Sequence, residues 1–418
     1  MRHDPRGPRH GPRERSEMSS DRRALPADPR VRELVKQARG VSRRRFLAGA
    51  AGAAGAAALL GACGTAGPSR AGTGDSSTGP LRWANWTQYL DQNEDGTSFP
   101  TLEAFEERTG IAVEYSEDIE DNDSFYGKIS QQLENGQDIG YDVVTLTDWM
   151  TARWIRQGYV AELDRTRIPN AANILPNLDG VDFDDGRRFS LTWQSGFAGI
   201  AWDTQAIPEG LRSVSDLWDP RLKGRVEVLS EMRDTIGLIM LENGMDPASN
   251  WTTDDWFDAL DVVRRHLDDG QIRRVRGNSY TQDLASGDAV ACFAWSGDIT
   301  SLNYDYDGRF AFAIPDAGGT LWSDNLMVPR SSGRKAQAEE LFDYYYDPEV
   351  AAEVAAWVNY ITPVQGAQEA MARIDPDLAE DTNIFPTAEV LSQVHVFRTL
   401  TPAEEERYNG QFLSVIGA

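Results

Sequence analysis

Cysteine and histidine are scarce in this chain of 418 residues, which has 2 of the first and 4 of the second. Two Cys exclude a disulfide-built scaffold and any multi-Cys zinc or iron–sulfur centre. Past residue 62 only His266 and His395 remain, far apart and without metal-ligand spacing, so no metal or cofactor is expected. Cys-x-x-Cys, His-Glu-x-x-His, Gly-x-Ser-x-Gly and phosphate-binding glycine loops are missing too. The signatures of redox pairs, zinc proteases, serine hydrolases and nucleotide enzymes are therefore lacking. Cys292 lies inside an apolar run and reads as a buried, inert thiol. Basic residues are the minority, 41 Lys+Arg against 66 Asp+Glu, for a net charge of −25. A nucleic-acid reader needs a basic face to displace counterions from phosphates, so no nucleic-acid partner is expected.

The charge is not evenly spread. Residues 1–62 hold 14 of the basic and 6 of the acidic side chains, which leaves 27 basic and 60 acidic beyond them, a net −33. The break is made by Ser42-Arg43-Arg44-Arg45-Phe46-Leu47, an Ala/Gly-rich apolar stretch to Ala62, and Leu60-Gly61-Ala62-Cys63. A positive region, a short apolar core and small residues before a cleavage point define a secretory signal, and this core is too short and too weakly apolar for a spanning helix. The paired arginines resemble a twin-arginine export signal, and Leu-Gly-Ala-Cys resembles a lipobox, in which Cys63 becomes the lipidated N-terminus. Residues 1–62 are thus expected to be a lipoprotein signal segment. Residues 63–79, rich in Gly, Ser and Thr, are expected to be a flexible tether. The expected location is the outer face of the cell membrane, held by lipid.

From Leu81 onward short apolar strands alternate with amphipathic helices. Strands are predicted over 81–86, 111–115 and 141–146, with helices over 98–109, 124–133 and 148–156. A second run has strands over 225–229, 289–295, 310–314 and 321–328, with helices over 232–242, 253–267, 335–346 and 348–358. Such alternation implies βαβ units, parallel strands and loops gathered at their carboxyl ends. Residues 188–202, apolar and punctuated by glycine, are a candidate crossover between two lobes, with a ligand cleft between them. Asp91-Gln92-Asn93-Glu94-Asp95-Gly96 begins like a calcium loop, but its twelfth position is Leu102 instead of Glu and no helix precedes it. It reads as a surface turn.

All 12 Trp lie beyond residue 62, and several stand beside polar or acidic residues at predicted strand ends. The sets are Asn85-Trp86-Thr87-Gln88-Tyr89, Thr147-Asp148-Trp149, Trp295-Ser296-Gly297-Asp298 and Trp322-Ser323-Asp324, with Tyr360 later. Aromatic faces flanked by carboxylates suit a thin organic cation: the rings cover methylenes and attract ammonium groups, and the acids accept charge-assisted hydrogen bonds.

On these motifs the chain resembles the spermidine/putrescine-binding lipoproteins of bacterial polyamine ABC transporters. Thr109-Gly110-Ile111-x-Val113-x-Tyr115, Tyr141-Asp142-Val143-Val144, Ser215-Asp216-Leu217-Trp218 and Gly318-Gly319-x-x-Trp322-x-Asp324 add to the likeness. The resemblance implies a two-lobed α/β fold of the type II periplasmic-binding-protein kind, each lobe a mixed sheet flanked by helices. Its expected division is 80–196 plus 322–365 for lobe 1 and 197–321 plus 366–418 for lobe 2. It further implies that Trp86, Trp295 and Trp322 stack on a polyamine chain lined by Tyr89 and Tyr360. Thr87 and Thr147 would offer hydroxyls, with Trp149 standing where members often have Tyr. Asp324 would hold one ammonium group, Asp298 matches an acid of putrescine-preferring members, and Glu231 and Asp234 fall in a segment that supplies acids for an amine. The implied role is capture of putrescine or spermidine, without covalent chemistry, by a monomer that delivers it to an ABC transporter permease. Hinges are expected near 194–198 and 321–322. A receptor of the same fold for an amino-acid derivative or sugar is the alternative, followed by a secreted hydrolase using two carboxylates.

Overall fold

The computed structural model describes residues 79–93 and 96–417. The signal segment, Cys63 and nearly all of the tether lie outside the described residues. In chain order the main elements are β1 (Leu81–Trp86), α1 (Pro100–Thr109), β2 (Val113–Ile119), α2 (Asn122–Glu134), β3 (Val143–Thr147) and α3 (Asp148–Gln157). The long strand β4 (Ser190–Asp203) follows, then β5 (Val226–Leu229), α4 (Met232–Glu242), α5 (Thr253–Asp268), β6 (Ile272–Arg276) and α6 (Tyr280–Ser286). Next come β7 (Ala291–Trp295), α7 (Ser296–Tyr306), β8 (Phe310–Ala313) and β9 (Gly319–Met327). The chain closes with α8 (Lys335–Tyr345), α9 (Pro348–Val358), α10 (Ala367–Ile374), β10 (Val394–His395) and α11 (Pro402–Ile416).

Local chemistry sets the boundaries. Pro100 opens α1, two residues later than the apolar pattern suggests, because proline fits the first helical position. Gly110, at φ +74°, ends that helix in the left-handed region. Asp121 caps α2 by accepting from Ser124 N at 3.0 Å. Reciprocal capping boxes start α5 at Thr252 and Asp255 and α11 at Thr401 and Glu404.

The strands run in the order β2-β1-β3-β9-β4-β7-β5-β6, with β10 beside β9 and β8 beside β4. The pairs β1–β2, β1–β3, β5–β6 and β5–β7 are parallel, as βαβ units require. The centre is antiparallel: β9 pairs with β3 and β4, and β4 with β7 and β8. A mixed sheet is therefore the outcome, and the candidate crossover 188–202 takes the form of the strand β4 in its central pair.

Alternation along the strands divides the core. Trp83, Val143 and Leu326 point into one cluster with α8 and α9, while Ala84, Val144 and Met327 point into another with α2 and α3. Together these clusters make lobe 1. A separate cluster joins β5, β7, α4, α5 and α11 into lobe 2. The first half of β4 pairs with β9 in lobe 1 and its second half with β7 and β8 in lobe 2, so the chain crosses between lobes as extended strand. The expected hinge residues face one another there, Gly196 opposite Trp322 and Phe197 opposite Leu321.

One expected boundary is corrected. The resemblance implies lobe 2 for residues beyond 365, but Ala367, Ala370, Met371 and Ile374 of α10 are buried in lobe 1. Helix α10 packs on α9, and only the segment from about Phe397 through α11 joins the lobe 2 core. Elements absent from the sequence reading are β6, α6, α7, α10, β10 and α11. Their apolar faces are short or interrupted by polar residues, so periodicity alone is silent on them. The supposed surface turn also differs: Asp91 is buried and accepts from the backbone N–H of Thr101 at 2.8 Å and from its hydroxyl, tying the turn to the start of α1.

Candidate functional site

A cavity of about 430 Å³ lies between the lobes, and all twelve residues singled out from the sequence line it. Topology explains the convergence. Trp86 ends β1, Thr147 ends β3, Trp295 ends β7, and Trp322 and Asp324 sit on β9 where it passes between β3 and β4. Loops and helix starts at these strand ends supply the remainder, as expected for ligand sites in α/β sheets.

Each acid of the set holds an aromatic N–H or O–H. Tyr89 donates its hydroxyl to Asp324 Oδ2 at 2.8 Å, and Thr147 donates to Asp324 Oδ1 at 2.7 Å. Trp295 Nε1 donates to Asp234 Oδ2 at 2.8 Å, with Thr320 Oγ1 on the other oxygen at 2.7 Å. Trp149 Nε1 donates to Glu231 Oε2 at 3.3 Å. Tyr360 donates to Asp298 Oδ1 at 2.9 Å, while Tyr280 and Asn278 both donate to Oδ2 at 3.0 Å. Rings and carboxylates thus fix each other. The pairing is across the fold and is not that of sequence neighbours: Asp148, next to Trp149 in the chain, accepts from Asn325 instead, at 2.7 Å.

Trp322, Tyr360 and Tyr89 meet edge to face, with ring centroids 5.1 Å apart for the first pair and 5.7 Å for the second. The indole N–H groups of Trp86 and Trp322 are buried and meet no acceptor among the described residues, so packing alone orients these two rings. Two glycines make that packing possible. A Cβ on Gly196 would stand 2.5 Å from Trp322 and 2.8 Å from Tyr360, and one on Gly297 would stand 2.7 Å from Tyr360. Thr87 is exposed on the cavity rim. Trp149 is flanked by cations: the Arg233 and Arg153 guanidinium groups lie 4.0 and 5.0 Å from its ring centroid.

The electrostatics are strongly acidic. Nine carboxylate residues and three arginines line the cavity. Burial pushes the Asp324 carboxyl up to about 7, against the lowering effect of its two hydroxyl donors, and the nearby Asp148 and Asp234 push it further. Burial likewise raises Glu231 to about 7, opposed by Arg233, and raises Asp234. Asp324 is 5% exposed, and the two groups that hydrogen-bond to it are neutral. A buried carboxylate in this state favours an incoming cation.

A family model for bacterial extracellular solute-binding proteins matches residues 101–387. The chain belongs to that family. Among its relatives is spermidine/putrescine-binding periplasmic protein 1 of Haemophilus influenzae, 26% identical over 74% of this chain and 81% of the relative. The putrescine/agmatine-binding protein of Pseudomonas aeruginosa is 24% identical over 73% of this chain and 85% of its own. Among solved structures, the spermidine/putrescine ABC transporter substrate-binding protein PotD of Streptococcus pneumoniae has a TM-score of 0.66 at 23% identity. It covers 81% of this chain and 98% of its own. At that identity the likeness establishes the fold, which is the type II periplasmic-binding-protein architecture. This solute-binding protein thus places its cavity between two α/β lobes, in keeping with an extracytoplasmic receptor. Among the described residues no helix is long and apolar enough to cross a membrane.

The sequence reading did not single out Tyr280, Asn278, Thr320, Arg153, Arg233 or Glu405, nor the spatial role of Gly196 and Gly297. Gly297 stands inside the Trp295–Asp298 motif, the one available signal. The others carry no local signature.

Proposed function

We propose that this solute-binding protein captures a linear polyamine, putrescine or spermidine, and presents it to the permease of an ABC transporter, without covalent chemistry. Its export by the twin-arginine route, its anchoring through lipid on Cys63 and its action as a monomer belong to the same proposal. The observation that carries the reading is Asp324, a buried carboxylate held only by neutral donors and flanked by Trp322, Tyr89 and Tyr360. An ammonium group at Asp324 gains a desolvated counter-charge, and the rings cover the methylenes beside it. Relatives named for spermidine and putrescine support the same ligand class.

A thermal-shift screen with putrescine, cadaverine, spermidine and spermine tests it, with sugars and amino acids alongside. A ligand at about 1,000 times its Kd stabilises the fold by roughly 4 kcal/mol, a clear rise in Tm. A shift limited to sugars or amino acids gives the site to another solute.

A pH dependence follows. Asp324 holds its proton below about 7, so a cation finds its counter-charge only as pH rises through that value. Affinity is expected to climb by about tenfold per pH unit from 5 to 7 and then level off. Without ligand the sign is opposite. The folded-state carboxyl is raised from 3.8 to about 7, so folding stability contributed by its protonated form is lost as pH rises through that window. Calorimetry in two buffers of different ionisation enthalpy measures the proton released on binding at pH 6. A flat affinity with no proton release removes Asp324 as the counter-charge.

A further inference from the structure

A train of charged and aromatic side chains crosses from one lobe to the other at the edge of the cavity. It starts at Glu405 in α11 of lobe 2, which is 3% exposed. Arg153 of α3, in lobe 1, donates Nε to Glu405 Oε1 at 2.5 Å, and Arg156 of the same helix donates Nη2 to Oε2 at 2.9 Å. The Arg153 guanidinium covers Trp149, and Arg233, again from lobe 2, lies over the same ring. Arg233 pairs with Glu231 at 3.5 Å, and Glu231 accepts the Trp149 indole N–H. Trp149 is therefore set from lobe 2 through Arg233 and Glu231, and through Arg153 by Glu405.

Helix α11 is firmly part of lobe 2. Tyr408 packs on Trp256 with centroids 4.6 Å apart, Phe412 is fully buried, and Trp256 Nε1 donates to Gln411 at 3.2 Å. From this base two more bonds reach lobe 1: Asn409 Nδ2 to Asp123 at 2.6 Å and Thr399 Oγ1 to Asp182 at 2.8 Å. The exposed pair Arg221–Glu209, within lobe 2, is open to water on both sides and holds nothing in place. Glu405 is buried, and the two arginines that pair with its carboxylate both sit on the other lobe.

We infer that Glu405, Arg153 and Arg156 form an interlobe clasp whose closing fixes the Trp149 wall and sets how long a bound ligand stays. Bonds that exist only when the lobes are together stabilise the closed form. They slow ligand departure and leave the encounter with the open cleft unchanged. These are positioning residues; the ligand itself is that of the proposed function, on which the kinetic half of the inference rests.

The test uses the full chain with Glu405→Gln, which keeps shape and acceptor but removes the charge. Putrescine or spermidine is expected to dissociate about tenfold faster, with association within about twofold of the parent. Amide hydrogen exchange in the ligand-free protein should rise over 149–156 and stay unchanged in β7 and α5. Arg156→Gln, at an exposed position away from the core, should give a smaller change of the same kind. Should Glu405→Gln loosen β7 and α5 as well, Arg156→Gln decides by the same readouts. Unaltered dissociation, or a change confined to association, overturns the clasp. If the parent binds neither amine, the polyamine reading fails, and exchange over 149–156 alone decides whether the clasp exists.

Discussion

Replacing Asp324 by Asn is expected to weaken binding of a polyamine by roughly 100- to 1,000-fold, the usual cost of leaving one partner of a desolvated charge pair alone. The fold should not suffer. Asn keeps the shape, and the hydroxyls of Tyr89 and Thr147, at 2.8 and 2.7 Å, can rotate to donate to its oxygen or accept from its amide. Ligand-free stability at pH 8 is expected to rise, since burial opposes the charged form that Asn removes. Two measurements on one variant therefore move in opposite directions: calorimetric affinity down, urea midpoint of the unliganded protein level or up. Undiminished affinity would show that Asp324 is not the ammonium partner. A fall in both would make it a structural residue instead.

Gly196→Ala should be nearly as damaging, for a steric reason. The added methyl would stand 2.5 Å from Trp322 and 2.8 Å from Tyr360, inside any permitted contact. Trp322 has no hydrogen bond at its indole nitrogen to restrain it, whereas Tyr360 is held to Asp298 at 2.9 Å and backed by Gly297. The tryptophan therefore moves into the cavity it lines. Overpacking of this kind costs about 1–3 kcal/mol of stability, and the displaced ring should cut affinity by more than about tenfold beyond that. Gly297→Ala is the companion variant. Within a helix, Ala normally gains about 0.8–1.0 kcal/mol over Gly, but contact with Tyr360 at 2.7 Å reverses the sign here. A crystal structure or a binding titration of either variant reads the result, and parent-like affinity in both would mean that these rings can retreat without loss.

Glu231 and Asp234 are instructive about ligand length. Each is engaged by an indole N–H, and Glu231 also faces Arg233 at 3.5 Å. A second ammonium group arriving at Glu231 must compete with that guanidinium in its ion pair, whereas the hydrogen-bond donors on Asp234 are neutral and Arg233 acts there through its charge alone. The relative affinities of putrescine and spermidine in the screen described above will reflect this difference.

Much of the architecture is legible in the sequence because it is local. Short apolar runs mark Leu81–Trp86 and, from two residues earlier, Val143–Thr147, a glycine at φ +74° ends the first helix where Gly110 stands, and Met232–Glu242 and Pro348–Val358 occur at their predicted bounds. The aromatic–acid motifs are legible too, since a Trp beside an acid at a strand end is visible without knowing where the strand lies. Partnership is not. Tyr89 and Asp324 are 235 residues apart, and Arg153 and Glu405 are 252 apart; no periodicity links them. Only the antiparallel β4–β9 pair, carrying the chain between lobes, puts Gly196 opposite Trp322, and only the β3–β9 pair puts Asp324 beside Thr147. Only the packing of α10 on α9 moves residues 367–374 into lobe 1. The sequence by itself determined the composition of the site and the alternation that builds each lobe. The tertiary structure decided which carboxylate each ring holds, because hydrogen bonds of this kind are set by distance in space and by burial, and neither is a property of neighbours along the chain.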